Sequence, residues 1–326
     1  MQKVIKELLA AGQIHPVLLD VGASGEPHPI WQPIASQSVY VGFDADDRAI
    51  DPTHYTGFHS SRIVPKAVSP DTAEKLIFYL TVSPFCSSTL QPDQASLSDY
   101  LFADIFAVER EATAPATSLG VALAELGLSR VDWFKTDSQG TDLRLFQSLP
   151  AGVRDGVLAL DIEPGLIDAY VNEDLWIDAH RELTRSGFWL SHLDVRGAVR
   201  MRRENLPLLA HFAPGTDDRQ VAVAVRPSPG WGESRYLRTI DWLLQTSADE
   251  RAFTLLWAFA GLDGQFGFAL DVGAAFEKRF GPGEQATFLQ REAALSIKRA
   301  YGVERVQHFA RRVIGRLQRT FRGAGR

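Results

Sequence analysis

Apolar residues in this chain recur in two rhythms. Short unbroken apolar runs closed by glycine, proline or acidic residues read as buried strands: Val17–Val21, Val39–Asp44, Arg62–Val68, Leu76–Val82, Val131–Thr136, Gly156–Glu163, Phe188–Val195 and Gln220–Arg226. Between them apolar positions return at helical spacing: Met1–Ala11, Ser96–Glu111, Leu119–Leu126, Leu143–Phe146, and Leu175, Trp176, Ala179 and Leu183 ahead of Gly187. Strands and helices alternating at this rate predict an α/β fold, a mostly parallel sheet covered on both faces. From Ser234 onward only helical patterns remain, over Arg238–Thr246, Asp249–Gly261, Ala274–Phe280, Gly283–Tyr301 and Gly302–Arg322. The expected organisation is therefore an α/β domain over 1–232 and a helical extension over 233–326.

The chemistry suggested by this pattern lies where the strands end. Val17–Val21 runs into Gly22-Ala23-Ser24-Gly25, small residues that let a backbone turn tightly beside a ligand. Its Gly-x-x-Gly spacing, followed by Pro27 and Pro29, is unlike the Gly-x-Gly-x-x-Gly loop that opens a dinucleotide-binding helix. Asp20 closes the first strand and Asp44 the second, ~20 residues beyond the first loop, a distance at which an acid hydrogen-bonds ribose hydroxyls. Asp137 follows a third strand, and Asp161 and Glu163 a fourth. In open α/β sheets this carboxyl edge is where ligands sit.

Composition narrows the picture. With 326 residues, 45% hydrophobic and 23% charged, the chain can bury a large core, and its net charge of -6 argues against general nucleic-acid binding. A single cysteine, Cys86, rules out an internal disulfide and suits a reducing compartment. No apolar run approaches the ~20 residues of a membrane span, and Lys3, Lys6 and Glu7 make the N-terminus an amphipathic helix rather than a signal peptide. A cytoplasmic protein is expected.

Taken in order, these pieces resemble the FkbM-type methyltransferase family over roughly residues 15 to 240. The resemblance is carried by Leu19-Asp20-Val21-Gly22-Ala23-Ser24-Gly25, Val41-Gly42-Phe43-Asp44, Ser87-Ser88-Thr89-Leu90 and, most specifically, Phe134-Lys135-Thr136-Asp137-Ser138-Gln139-Gly140-Thr141-Asp142-Leu143. Leu160–Glu163, Gly187-Phe188 and Trp231–Leu237 also stand where the family has similar elements. Asp44 replaces a more usual glutamate and Ser138 a hydrophobe. The resemblance implies a class I, Rossmann-like fold with a seven-stranded sheet, S-adenosylmethionine as cofactor, and O-methylation of a hydroxyl on a sugar, glycan or secondary metabolite.

On that reading Asp20, Gly22, Ala23, Ser24, Gly25, Asp44 and Asp137 bind the cofactor, and Asp137, Glu163 or His192 accepts the hydroxyl proton. A divalent metal on Asp137, Asp161 and Glu163 ranks below cofactor binding, because alternation need aim only one of the last two acids at the cleft. Trp31, Trp176, Trp189 and Trp231 are candidates for stacking on a sugar ring, against a plain core role. The competing readings are a nicotinamide-dependent oxidoreductase and a methyltransferase fold that only binds. Val303, Val306, Ala310, Val313, Ile314, Leu317 and Phe321 recur at helical spacing opposite Arg305, Arg311, Arg312, Arg316, Arg319 and Arg322. Such a basic helix suits self-association, packing on its neighbours, or peripheral contact with the inner membrane surface.

Overall fold

Five buried residues in succession, Val17–Val21, can be satisfied only by a strand covered on both faces, and this strand (β1) lies in the middle of the main sheet. The structure is a computed structural model and describes residues 1–23, 25–45 and 52–302. The amphipathic N-terminus forms α1 (Gln2–Ala11), with Ile5 and Leu9 buried. After β1 come a 3-10 segment (Pro29–Gln37), β2 (Val39–Phe43), β3 (Ser60–Val64), β4 (Ala67–Ser69), β5 (Lys75–Thr81), α2 (Gln94–Leu97), β6 (Val108–Ser118) and α3 (Leu119–Glu125). There follow β7 (Trp133–Thr136), α4 (Asp142–Gln147), α5 (Ala151–Asp155), β8 (Ala159–Ile162), α6 (Trp176–Arg185) and β9 (Phe188–Ala198). The remainder is α7 (Leu206–Phe212), α8 (Asp218–Ala224), β10 (Ser228–Arg238), α9 (Ile240–Gln245), α10 (Glu250–Leu262), α11 (Phe266–Phe280) and a last helix, α12, over 284–302.

Seven strands form the main sheet in the order β3-β2-β1-β7-β8-β10-β9, all parallel except β10, which runs against both neighbours. The expected mostly parallel α/β sheet is thus observed. Alternate residues of each strand enter different cores. Leu18, Tyr40, Trp133, Ala159 and Leu237 pack against α1, the 3-10 segment and α9 to α12. Leu19, Val41, Phe134, Leu160 and Tyr236 pack against α3 to α6.

Four expectations are corrected. Residues 96–111 are not one helix: α2 ends at Leu97 under its Asp93 cap, a 3-10 turn covers Ala103–Phe106, and Val108 onward joins β5 in a separate three-stranded sheet, β4-β6-β5. The alternating, largely exposed Val108–Thr113 and the helix-breaking Pro115 suit an antiparallel strand. Gln220–Arg226 does not close the sheet; Asp217 and Gln220 form a capping box that nucleates α8, and only Val221 of that helix is buried. Its place in the sheet is taken by β10, so the chain is not purely helical from Ser234. The boundary expected at 232/233 falls inside β10, and α9 to α12 share one core with the sheet instead of forming an extension.

Smaller differences follow from local chemistry. The run Arg62–Val68 breaks at Pro65 and Lys66 into β3, an edge strand, and β4 in the second sheet. The helix expected over Ala274–Phe280 starts earlier, at Phe266. The basic helix expected over Gly302–Arg322 lies outside the described residues beyond 302. Among the described residues no helix is long and apolar enough to cross a membrane.

Candidate functional site

From β1 the chain moves outward to β2 and β3 on one side, then returns with β7 on the other side of β1. The carboxyl ends of β1 and β7 therefore flank a topological switch point, where α/β sheets open a crevice. The two loops meet there. Gly22 has φ +83°, and a Cβ placed on it would lie 2.5 Å from the Asp137 carbonyl oxygen, so no larger residue fits without moving a loop. The Asp137 N–H donates to Val21 (3.0 Å), and the N–H groups of Gly22 and Ala23 both donate to Phe43 on β2 (3.0 Å each). Tyr55 donates to the Ala23 carbonyl (3.1 Å), and His54 lies 3.2 Å from the Gly25 carbonyl. Asp44 follows the end of β2 at the same edge, and Ser24 lies outside the described residues.

Asp137 is held by contacts far apart in sequence. Gln139, in the left-handed region at φ +55°, donates its side-chain amide to Asp137 (2.6 Å) and accepts from the Tyr170 hydroxyl (3.0 Å). Its backbone carbonyl accepts from Ser88 (2.7 Å). Asp142 ties the other side of the loop: it accepts from Thr136 (2.9 Å), from the Ser138 N–H (3.0 Å) and hydroxyl (2.6 Å), and from the Glu163 N–H (3.2 Å). Burial pushes Asp142 up to about 6 despite those donors. Ser138, where the resembled family has a hydrophobe, is thus half of a hydrogen-bonded clasp.

Below this rim a row of charges crosses the sheet in register. Gly42, Asp20, Lys135, Asp161, Arg235 and His192 are successive cross-strand neighbours. Asp20 accepts from Lys135 (3.3 Å) and from Tyr40 (3.0 Å). Asp161 accepts from Arg235 (2.7 Å) and from the Trp133 indole (2.6 Å). Arg235 also donates to Asp263, just past α10 (2.7 Å). Burial by itself would discharge Lys135, but Asp20, Asp137 and Glu163 outweigh it and hold the ammonium charged.

Compared with protein-family models, curated proteins and solved structures, the chain matches none. The chemistry of the site therefore rests on its own residues.

Two residues beyond the charge row the rim is acidic, with Asp137, Glu163 and Glu233. Glu163 is pushed up to about 8, by burial first and then by Asp137, against the pull of Lys135. Its proton is bound more tightly in the folded chain than in the unfolded one. Its contribution to stability is therefore complete below the ordinary carboxylate range and is lost as pH rises through about 8. Thermal unfolding between pH 6 and pH 9 should show stability falling by up to about 1.4 kcal/mol per pH unit in that window. Glu163→Gln should flatten the curve; an unchanged slope in the variant would show that Glu163 is not responsible.

Two expected residues behave otherwise. His192 is exposed on β9, opposite Arg235 and three strand spacings from β7, roughly 14 Å at ~4.8 Å per strand, so it is not brought to the rim around Asp137. Both oxygens of Asp161 are occupied by Arg235 and Trp133, which withdraws it from the metal set considered with Asp137 and Glu163. Among the described residues no group of three or more His, Cys, Asp or Glu is arranged to hold a metal ion. Of the tryptophans, Trp31 is fully buried, Trp176 stacks on His180, and Trp189 packs edge-on against Phe268; Trp231 is partly exposed on β10.

His28 and Tyr170 are site residues that sequence reasoning missed. His28 precedes the 3-10 segment, its Nδ1 accepts from the Ile30 N–H (3.2 Å), and burial lowers its pKa, with Asp161, Arg235, Lys135 and Glu233 close enough to act on it. A backbone donor on Nδ1 leaves Nε2 as the N–H of a neutral ring. Nothing in the local sequence marks His28 for this place.

Proposed function

We propose that this chain is an S-adenosylmethionine-dependent methyltransferase acting on a hydroxyl. The observation that carries the reading is the contact of Gly22 with Asp137 at the switch point, with Asp44 at the end of the next strand. The residues suit that cofactor: a tight glycine turn for close approach, an acid placed for ribose hydroxyls, and an acidic rim complementary to a sulfonium and an ammonium. Bound there, S-adenosylmethionine would supply an electrophilic methyl group. Asp44 would hold the ribose, Asp137, fixed by Gln139, would orient the cationic end, and Glu163 would take the acceptor's proton. A carboxyl whose pKa stands near 8 is matched to general-base work at neutral to alkaline pH.

The nicotinamide reading is less well supported. Dinucleotide sites place the diphosphate on an α-helix N-terminus after the first loop, and here that loop leads into a 3-10 segment starting at Pro29. The order 3-2-1-4-5-6 of such folds is parallel throughout, whereas here an antiparallel β10 lies between β8 and β9. Calorimetry with S-adenosylhomocysteine tests the proposal. Binding is expected, weakened about tenfold by Asp137→Asn, with no heat from NADH; absence of S-adenosylhomocysteine binding would remove it. Binding without methyl transfer to any sugar hydroxyl would favour the binding-only reading.

A further inference from the structure

β9 and β10 pair from Phe188 with Arg238 to Ala198 with Ser228, but β8 reaches only Ser234–Leu237 of β10. Beyond β8 the outer half of this hairpin is flanked by the segment after that strand, with Leu166 donating to Gly230 (2.8 Å) and Gly232 to Pro164 (3.1 Å), and α7 and α8 form its tip. The inner side of the tip is satisfied. Leu206, Leu209 and Val221 pack with Leu101, Val199 and Met201, and Arg203 binds the Leu101 carbonyl (2.9 Å), Asp104 (3.2 Å) and Asp218 (3.1 Å).

The outer side is not. Leu208 is 57% exposed, Phe212, one turn further along α7, 80%, and Val223 on α8 90%. Arg219 stands one turn before Val223 and Arg226 just after the helix end; among the described residues neither has an acidic partner. The nearby acids are engaged, Asp217 in capping α8 and Asp218 with Arg203. Of the six arginines in residues 196–226, Arg196, Arg200, Arg202 and Arg203 are paired with acids, which leaves Arg219 and Arg226 as the cations this surface offers. Large apolar side chains beside arginines without an acidic partner among the described residues, on the outer side of two short helices, match an anionic bilayer surface. The apolar groups enter the acyl boundary while the guanidinium groups meet lipid phosphates.

We infer that the α7–α8 tip is a docking surface for anionic membrane lipid. This surface is independent of methyl transfer and would hold whatever reaction the sheet edge supports. The test is co-sedimentation of the full chain with phosphatidylcholine vesicles that either contain or lack phosphatidylserine. Pelleting is expected with the anionic vesicles and should weaken as salt rises. Arg219→Gln with Arg226→Gln should reduce partitioning to anionic vesicles about 25-fold, since each cation near such a surface contributes ~1 kcal/mol. Phe212→Ser with Leu208→Ser should reduce it at least about tenfold. Both pairs are exposed, so unchanged thermal unfolding confirms that the variants fold. Failure of the parent chain to pellet, or pelleting of both variants like the parent, overturns the inference; the latter would point to the basic segment after residue 302. A parent dimer in solution that Phe212→Ser converts to monomer also overturns it, by making this face a self-association surface.

Discussion

Gly22→Ala should weaken S-adenosylhomocysteine binding by at least about 100-fold, close to 2.8 kcal/mol at 1.4 kcal/mol per decade, and lower stability by a few kcal/mol. Two costs combine. An L side chain at φ +83° costs ~1–2 kcal/mol, and the added carbon would stand 2.5 Å from the Asp137 carbonyl oxygen, an atom that cannot rotate away. The β1 and β7 loops must separate, and that displaces Asp137. Gly25→Ala is the internal control. Its φ of +85° carries the same conformational cost, yet an added Cβ there meets nothing within 4 Å. It should lose stability by only ~1–2 kcal/mol and keep cofactor affinity within about tenfold. Equal losses of affinity in the two variants would show that the contact between the loops is not what builds the site.

Asp161→Ala should be the most destabilising single substitution around the site, by about 3–5 kcal/mol. Asp161 is the acceptor for both Arg235 and the Trp133 indole, and the Arg235 side chain is only 9% exposed. Removing it leaves a buried guanidinium with Asp263 as its remaining partner and a buried N–H with none. At roughly 2–4 °C per kcal/mol for a chain of this size, the melting temperature should fall by about 10 °C. Asp161→Asn keeps the shape and one acceptor oxygen but not the charge, and should fall between parent and Ala variant. A catalytic role would predict the opposite pattern, lost turnover with unchanged melting. Thermal unfolding of both variants alongside a cofactor titration separates the two.

The alternating row Asp20, Lys135, Asp161, Arg235 shapes the site without belonging to its exposed rim. Lys135 and Arg235 balance the acids beneath the cleft, while above them Asp137 and Glu163 draw on Lys135, and Glu233 pairs with Arg196 (2.9 Å). Burial first, and then the neighbouring Asp137, raise Glu163, and a cation bound at the rim would relieve the second of these.

Much of this could be read along the chain because it depends on neighbours in sequence. Apart from Asp20, Lys135 and Thr136, the strands Val17–Val21, Val39–Phe43 and Trp133–Thr136 are apolar or glycine because both faces of a parallel strand are covered. The loops after them are small or acidic because they end at the open edge. The misread segments are those where local pattern was ambiguous. The valines of Gln220–Arg226 alternate like a strand, yet a capping box six positions before Arg226 had already set a helix. His192 was aligned with the correct row but on the wrong side of β10, because the reversal of that strand cannot be seen from spacing. His28, through an irregular loop, and Tyr170, 31 residues from Gln139, reach the site with no local mark, whereas Ser88 lies in the Ser87–Leu90 segment already singled out in the sequence.

By itself, then, the sequence determined the strands, their glycine and carboxylate endings and the covering helices, since periodicity and turn chemistry act within a few residues. Only the tertiary structure decided which endings meet. Strand order is set by packing between distant segments, and that packing brought Gly22 against Asp137, committed Asp161 to Arg235, left Glu163 among acids, and set His192 apart at the sheet's far edge.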